Sequence, residues 1–227
     1  MKFLLTCEHG GNEIPEEYQK YFINAGYVLN SHRGYDPGAL DMFFFLQDLA
    51  NYSFYNTTSR LLIEPNRSLH HPALFSEFTK YLSSKEKKGL VDGFYLPYRN
   101  SVEALISKIL EKGEKLLHVS VHSFSPELDG SIRNTDIGLL FDPKNAEEKN
   151  YCKILKKELL LLGPQFKVRF NYPYLGKADG FTTYLRKKYP KNYLGIELEI
   201  NQKYSVDNKM EAALKDRIFQ ALNNSLK

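Results

Sequence analysis

The sequence predicts an α/β fold, a three-layer α/β/α arrangement around one mixed central sheet, on three observations. Short runs of β-formers alternate along the whole chain with longer segments of helical periodicity. The residues best suited to chemistry follow those short runs, where open α/β sheets gather their ligands. The length of 227 residues suits one catalytic domain spanning 1–227 and leaves little room for a second.

Composition excludes several classes. Hydrophobic content of 42% and charged content of 26% are those of an ordinary soluble globular protein. A formal net charge of +4 is too small to argue for nucleic acid, and the lysines at 85, 87, 88, 187 and 188 read as solvated helix faces. Cys7 and Cys152 are the only cysteines and lie far apart, which excludes a disulfide framework and a cysteine-based zinc cluster. No apolar run approaches the roughly 20 residues of a membrane span. The first apolar run is strand-length and meets charge at once, unlike a signal peptide, so a cytoplasmic protein without membrane partners is expected.

The elements follow in order. Phe3–Thr6 reads as a buried strand, and Gly10-Gly11 lets the backbone turn where it stops. Residues 14–18 suit a short helical turn, with proline early and acids in its first turn. After a polar loop at 31–38, a helix is expected from Ala39 to about Ala50, with Leu40, Phe43, Phe44, Leu46 and Leu49 as its apolar stripe and Asp36 as a possible cap. Two strands are expected at 52–57 and 60–64, then a helix within 72–87 and another over 98–114. Strands at 116–122, 137–141, 166–170 and 193–200 alternate with helices at 146–162, 180–188 and 206–226.

Candidate chemistry clusters at strand ends. His9 ends the first strand, Asn66-Arg67 follow the run at 60–64, and His122-Ser123 end another. In the strand at 193–200, Glu197 and Glu199 share a face opposite Ile196, Leu198 and Ile200. Two carboxylates there require either water, as on an edge strand, or a positive partner such as a metal ion or an arginine. Two histidines and a carboxylate are the minimum set for a catalytic zinc that keeps a water position open. His9 and His122 are the nitrogen ligands, and Asp36, Glu13 and Glu8 compete for the carboxylate position. The adjacent pair His70-His71 reads as surface.

Six segments taken together resemble the N-formylglutamate amidohydrolase family. They are Cys7-Glu8-His9-Gly10-Gly11-Asn12 with Ile14-Pro15, the run from His32 to Ala39, and Arg60-Leu61 with Glu64-Pro65-Asn66-Arg67-Ser68. His122-Ser123-Phe124-Ser125-Pro126, Arg133 with Asp136-Ile137-Gly138, and Gly195 to Ile200 complete the set. The pattern is also similar to zinc carboxypeptidases, which implies a zinc-exopeptidase-like (phosphorylase/hydrolase-like) form of the α/β fold. The resemblance implies one Zn2+, or another divalent metal, on His9, His122 and Asp36, because Asp36 lies inside the family's recurrent segment. It implies Asn66, Arg67 and Ser123 as substrate contacts, with Arg67 gripping a carboxylate bidentately. It places the general base at Glu199, with Glu197 second, and gives Arg133 a second carboxylate or the carbonyl oxygen.

Two departures stand out. Glu13 follows His9 by four residues where carboxypeptidases have a glutamate three after, and Asn201 stands where relatives often have arginine. The expected partner is a small-molecule carboxylate, with the protein a monomer or homo-oligomer. A peptidase or deacylase for larger substrates, or a binding protein without metal, would suit the same residues.

Overall fold

Alternating apolar residues build a sheet with two unlike faces. The computed structural model describes Met1–Lys227, and its central sheet has six strands. They are β1 (Lys2–Cys7), β2 (Tyr52–Tyr55), β3 (Leu116–Phe124), β4 (Ile137–Leu140), β5 (Val168–Phe170) and β6 (Tyr193–Asn201). Their order is β2-β1-β3-β6-β4-β5, and every pair is parallel except β4 against β6. The sheet is therefore mixed, and β6 lies inside it rather than on an edge.

Helices cover both faces. They are α1 (Ala39–Leu46), α2 (Ser84–Leu90), α3 (Leu96–Leu110), α4 (Ala146–Leu162), α5 (Phe181–Lys188) and α6 (Ala212–Ser225). One face is wholly apolar. Phe3, Leu5 and Cys7 of β1, Val119 and Val121 of β3, and Ile196 and Leu198 of β6 pack there with α1, α4 and α6. The opposite face starts apolar, with Leu4, Leu116 and Tyr193 against α3 and α5. Towards the carboxyl ends of β1, β3 and β6 it turns polar: Thr6, then His118, Ser120 and His122, then Glu197 and Glu199. The period-2 pattern thus delivers a polar stripe into the interior. No helix is long and apolar enough to cross a membrane.

Three sequence expectations change. Residues 60–64 form turns, not a strand: Leu62 N–H donates to Ser59 O at 2.9 Å, and Leu61, Leu62 and Ile63 are all buried in a third cluster with Phe22, Leu74 and Leu90. Their apolar run reflects burial on every side rather than strand alternation. The helix placed within 72–87 is confined to α2, where Ser83 and Glu86 form a reciprocal cap that starts it at Ser84. The final helix begins at Ala212, because Ser205–Val206 and Lys209–Met210 form a small hairpin first.

The layers are tied by a buried ion pair. Glu148 at the start of α4 is fully buried and accepts from Arg186 Nε at 2.8 Å, Gly195 N–H at 2.9 Å and Asp142 N–H at 2.8 Å. Arg186 also donates to the carbonyls of Gly176 at 2.6 Å and Gly195 at 2.5 Å. Removing one member strands the other in the interior. Glu148→Ala is expected to lower unfolding free energy by about 3–5 kcal/mol, read from urea denaturation; a loss below 1 kcal/mol would show the pair to be dispensable.

Candidate active site

The polar stripe ends in a cavity of about 420 Å³. Two strand ends and one loop bring its chemistry together. His9 leaves β1, His122 sits near the end of β3, and Asp36 lies in the loop before α1. The backbone places Asp36 directly, since its N–H donates to His9 O at 2.9 Å. Asp36 Oδ2 then meets His9 Nδ1 at 3.3 Å and His122 Nδ1 at 3.0 Å. Nitrogen and oxygen donors of these three buried residues all lie within 4.8 Å of one another.

Each imidazole turns its other nitrogen to a carboxylate. His9 Nε2 donates to Glu64 Oε1 at 2.5 Å, while His122 Nε2 lies 2.8 Å from the Ser120 hydroxyl and 3.3 Å from Glu8 Oε2. Glu8 is fully buried, takes the Ser120 hydroxyl, and accepts from Tyr98 OH at 2.8 Å. Glu64 accepts from Arg60 Nη2 at 2.5 Å and from Asn66 N–H at 2.9 Å. Arg60 also reaches Asp36 Oδ1 at 3.4 Å. This is the arrangement that orients imidazole ligands, with Nδ1 facing a shared point and Nε2 held from behind.

The electrostatics follow from burial set against pairing. Burial alone would raise the Asp36 carboxyl, but His9 and His122 hold it far below its ordinary range. The same contest keeps Glu8 low through His122 and Glu64 low through Arg60 and His9. Burial opposes protonation of His122 and His9, yet the facing carboxylates raise both. Glu199 differs. Burial pushes its carboxyl up to about 8, with Asp36 and Glu197 adding to the rise and His122 opposing it. Its Oε2 is buried without a hydrogen-bond partner.

The other expected residues divide. Asn66, Arg67, Ser123, Glu197 and Glu199 all line the cavity with His9, Asp36 and His122. Asn66 Oδ1 accepts from Phe181 N–H at 2.7 Å, and Arg67 donates through Nη1 to the Asp179 carbonyl. The Ser123 hydroxyl is engaged, donating to Pro37 O at 2.7 Å. Arg133 does not line the cavity; its guanidinium stacks on Tyr174 at 5.2 Å and donates to that hydroxyl at 3.2 Å. Glu13 is exposed and takes the Thr57 hydroxyl at 2.6 Å, away from the histidines. His70 is exposed, and neither it nor His71 lines the cavity.

Sequence reasoning missed Arg60 and Glu64 as site residues and did not foresee Glu8 behind His122. The motif containing Arg60 and Glu64 was the available signal; the turn that folds them together was not visible.

A gene product of Agrobacterium tumefaciens is similar in structure, with 26% identity and a TM-score of 0.81 over 99% of this chain and 90% of that one. An N-formylglutamate amidohydrolase from Ralstonia eutropha JMP134 shares the fold at 17% identity, with a TM-score of 0.70 over 98% of this chain and 92% of that one. No curated protein matches by sequence. The pattern of N-formylglutamate amidohydrolase matches residues 1–205, nine-tenths of the length, and over that stretch it includes every residue of the cavity described above. The chain belongs to the N-formylglutamate amidohydrolase family.

Proposed function

We propose that this chain is a metal-dependent amidohydrolase that cleaves the amide bond of N-formylglutamate or a similar N-acyl amino acid, with zinc as the metal. The observation that carries the reading is the convergence of His9 Nδ1, His122 Nδ1 and Asp36 Oδ2 beside the unpartnered buried oxygen of Glu199.

The donor set fits a divalent ion in chemistry and in charge. Two imidazoles and a carboxylate suit zinc with a coordination position left open. Glu8, Asp36 and Glu64 carry three negative charges against the single positive charge of Arg60. The remainder of two is balanced either by protons on both imidazoles or by one divalent cation. A zinc ion on His9, Asp36 and His122 would polarise an amide carbonyl and lower the pKa of a water to about 7.

The protein's own groups do the rest. Arg67, fixed by the Asp179 carbonyl, turns its remaining N–H groups to a substrate carboxylate and so positions the adjacent amide. Glu199 takes a proton from the attacking water on a carboxylate oxygen and delivers it to the departing amine. Its burial and lack of partners suit a base that must hold and release one proton. Glu64 and Glu8 keep the imidazoles turned with Nδ1 inward. Arg60, rather than Arg133, supplies the guanidinium charge at the cavity wall.

Purified protein is expected to hold about one divalent ion per chain by elemental analysis, with the ion lost in His122→Ala; no uptake even when zinc is offered would overturn the mechanism and leave a binding protein. Glu199→Gln should retain the metal and lose activity by about 10²–10⁴-fold, and near-normal turnover would remove Glu199 as base. Arg67→Ala should raise KM for acyl amino acids far more than for the matching carboxamides. An equal loss on both would remove the clamp.

A further inference from the structure

Arg99 is a buried cation without a carboxylate partner. It projects from the first turn of α3 and is only 3% exposed. The nearest acids along the chain and the strip are taken: Glu103, one turn on, is held by Lys188, and Glu8 by Tyr98 and Ser120. The guanidinium stands instead over three rings, Phe181 at 4.2 Å, Tyr184 at 4.7 Å and Tyr95 at 4.9 Å. Aromatic faces attract a cation, and more strongly out of water. The same rings would pack a methionine, which carries no charge to desolvate. Packing alone therefore gives no reason for an arginine here.

An apolar side chain could not donate. Arg99 Nη1 reaches Pro65 O at 3.0 Å and Arg67 O at 3.2 Å, the two carbonyls that bracket Asn66-Arg67. Tyr95 OH adds a second donor to Arg67 O at 2.7 Å. The side chains of the pair are tied nearby, Asn66 Oδ1 to Phe181 N–H at 2.7 Å and Arg67 to the Asp179 carbonyl. Phe181 is itself one of the rings against Arg99. Asn66 and Arg67 line the cavity, while Arg99 and Tyr95 do not, so both act from behind it. The other end of the segment belongs to the charged cluster, where Glu64 takes the Asn66 N–H at 2.9 Å while holding His9 and Arg60. Separate groups thus hold the two ends: Glu64 towards the histidines, Arg99 towards the clamp.

We infer that Arg99 is a positioning residue for substrate binding, fixing the backbone of Asn66-Arg67 so that the Arg67 guanidinium stands ready for a carboxylate. It takes no part in holding a metal. This inference rests on the carboxylate clamp proposed above and names the group that sets it. Geometry fixed in advance lowers the ordering cost of binding, so the loss of Arg99 shows in affinity before it shows in turnover.

The test is calorimetric titration of the zinc-loaded full chain with glutamate, beside kinetics on N-formylglutamate. Arg99→Met should weaken glutamate binding and raise KM by about 10-fold, the scale of one hydrogen bond to a charged group. Its kcat and zinc content should stay close to wild type. Arg67→Ala should also weaken binding, and adding Arg99→Met to it should cost nothing further. Arg99→Lys, which keeps the charge and a donor, should recover part of the loss. If Arg99→Met does not fold, Tyr95→Phe carries the test, with a smaller loss of affinity expected and an unchanged one overturning the inference. Unchanged glutamate affinity in folded Arg99→Met, loss of its zinc, a fall in kcat alone, or full additivity with Arg67→Ala would each overturn it. Binding that follows the expected pattern in a chain that hydrolyses nothing would leave the inference standing and overturn the amidohydrolase reading. No glutamate binding by the wild-type chain would overturn the clamp and this inference together.

Discussion

Burying ionised groups at the end of one sheet face is the constraint to which the rest of the structure answers. Glu8, His9, Asp36, Glu64 and His122 are each almost free of solvent contact. An isolated charge in such a place costs several kcal/mol, so each needs an opposite charge within reach. Pairing supplies it locally: two imidazoles share Asp36, two carboxylates stand behind them, and Arg60 ties the second carboxylate back to Asp36. The two negative charges left over without imidazole protons are a property of the fold, and they are what a divalent ion would satisfy. Glu199 sits beside this cluster as the exception, kept from ionising easily by the same burial.

Position along one strand decides charge as much as residue type does. His118 and His122 lie on the same face of β3, four residues apart. His118 is enclosed by the neutral hydroxyls of Thr6 and Tyr193, each at 2.7 Å, and burial lowers its pKa to about 4. His122 faces Asp36 and Glu8 and is raised instead. His118 is thus a neutral hydrogen-bond bridge in the polar stripe, while His122 belongs to the charged cluster. Spacing alone assigns both to the interior; only the partners across β1 and β6 separate them.

Much of this was legible in the sequence where one element decides the outcome. Alternation puts Glu197 and Glu199 on one face of their strand and Ser120 and His122 on one face of theirs, and strand pairing makes these the same sheet face, with Ser120 beside Glu197 and His122 beside Glu199. What needed tertiary information was harder to read. An extended run at 60–64 would separate the Cα atoms of Arg60 and Glu64 by roughly 13 Å, whereas turns bring their charged ends to 2.5 Å. Asp36 and Glu13 are separated by their backbone and side-chain contacts: the His9 carbonyl captures the Asp36 N–H, while Glu13 is held at Thr57. The edge-strand alternative for β6 failed because β4 adds antiparallel to its far side.

Shared fold and shared site do not carry a substrate with them. The residues that would perform the chemistry come from β1, β3, β6 and the loops after β1 and before Asn66, and all are held by the polar stripe. Another part of the cavity wall, with Tyr174, Leu175 and Asp179, comes from the segment between β5 and α5. That segment is fixed at its backbone by Asn171, Gly176 and Asp179, so the side chains at 174 and 175 can change without disturbing the charged cluster. A scaffold divided in this way keeps the demanding electrostatics in the sheet and leaves one wall of the cavity to a loop.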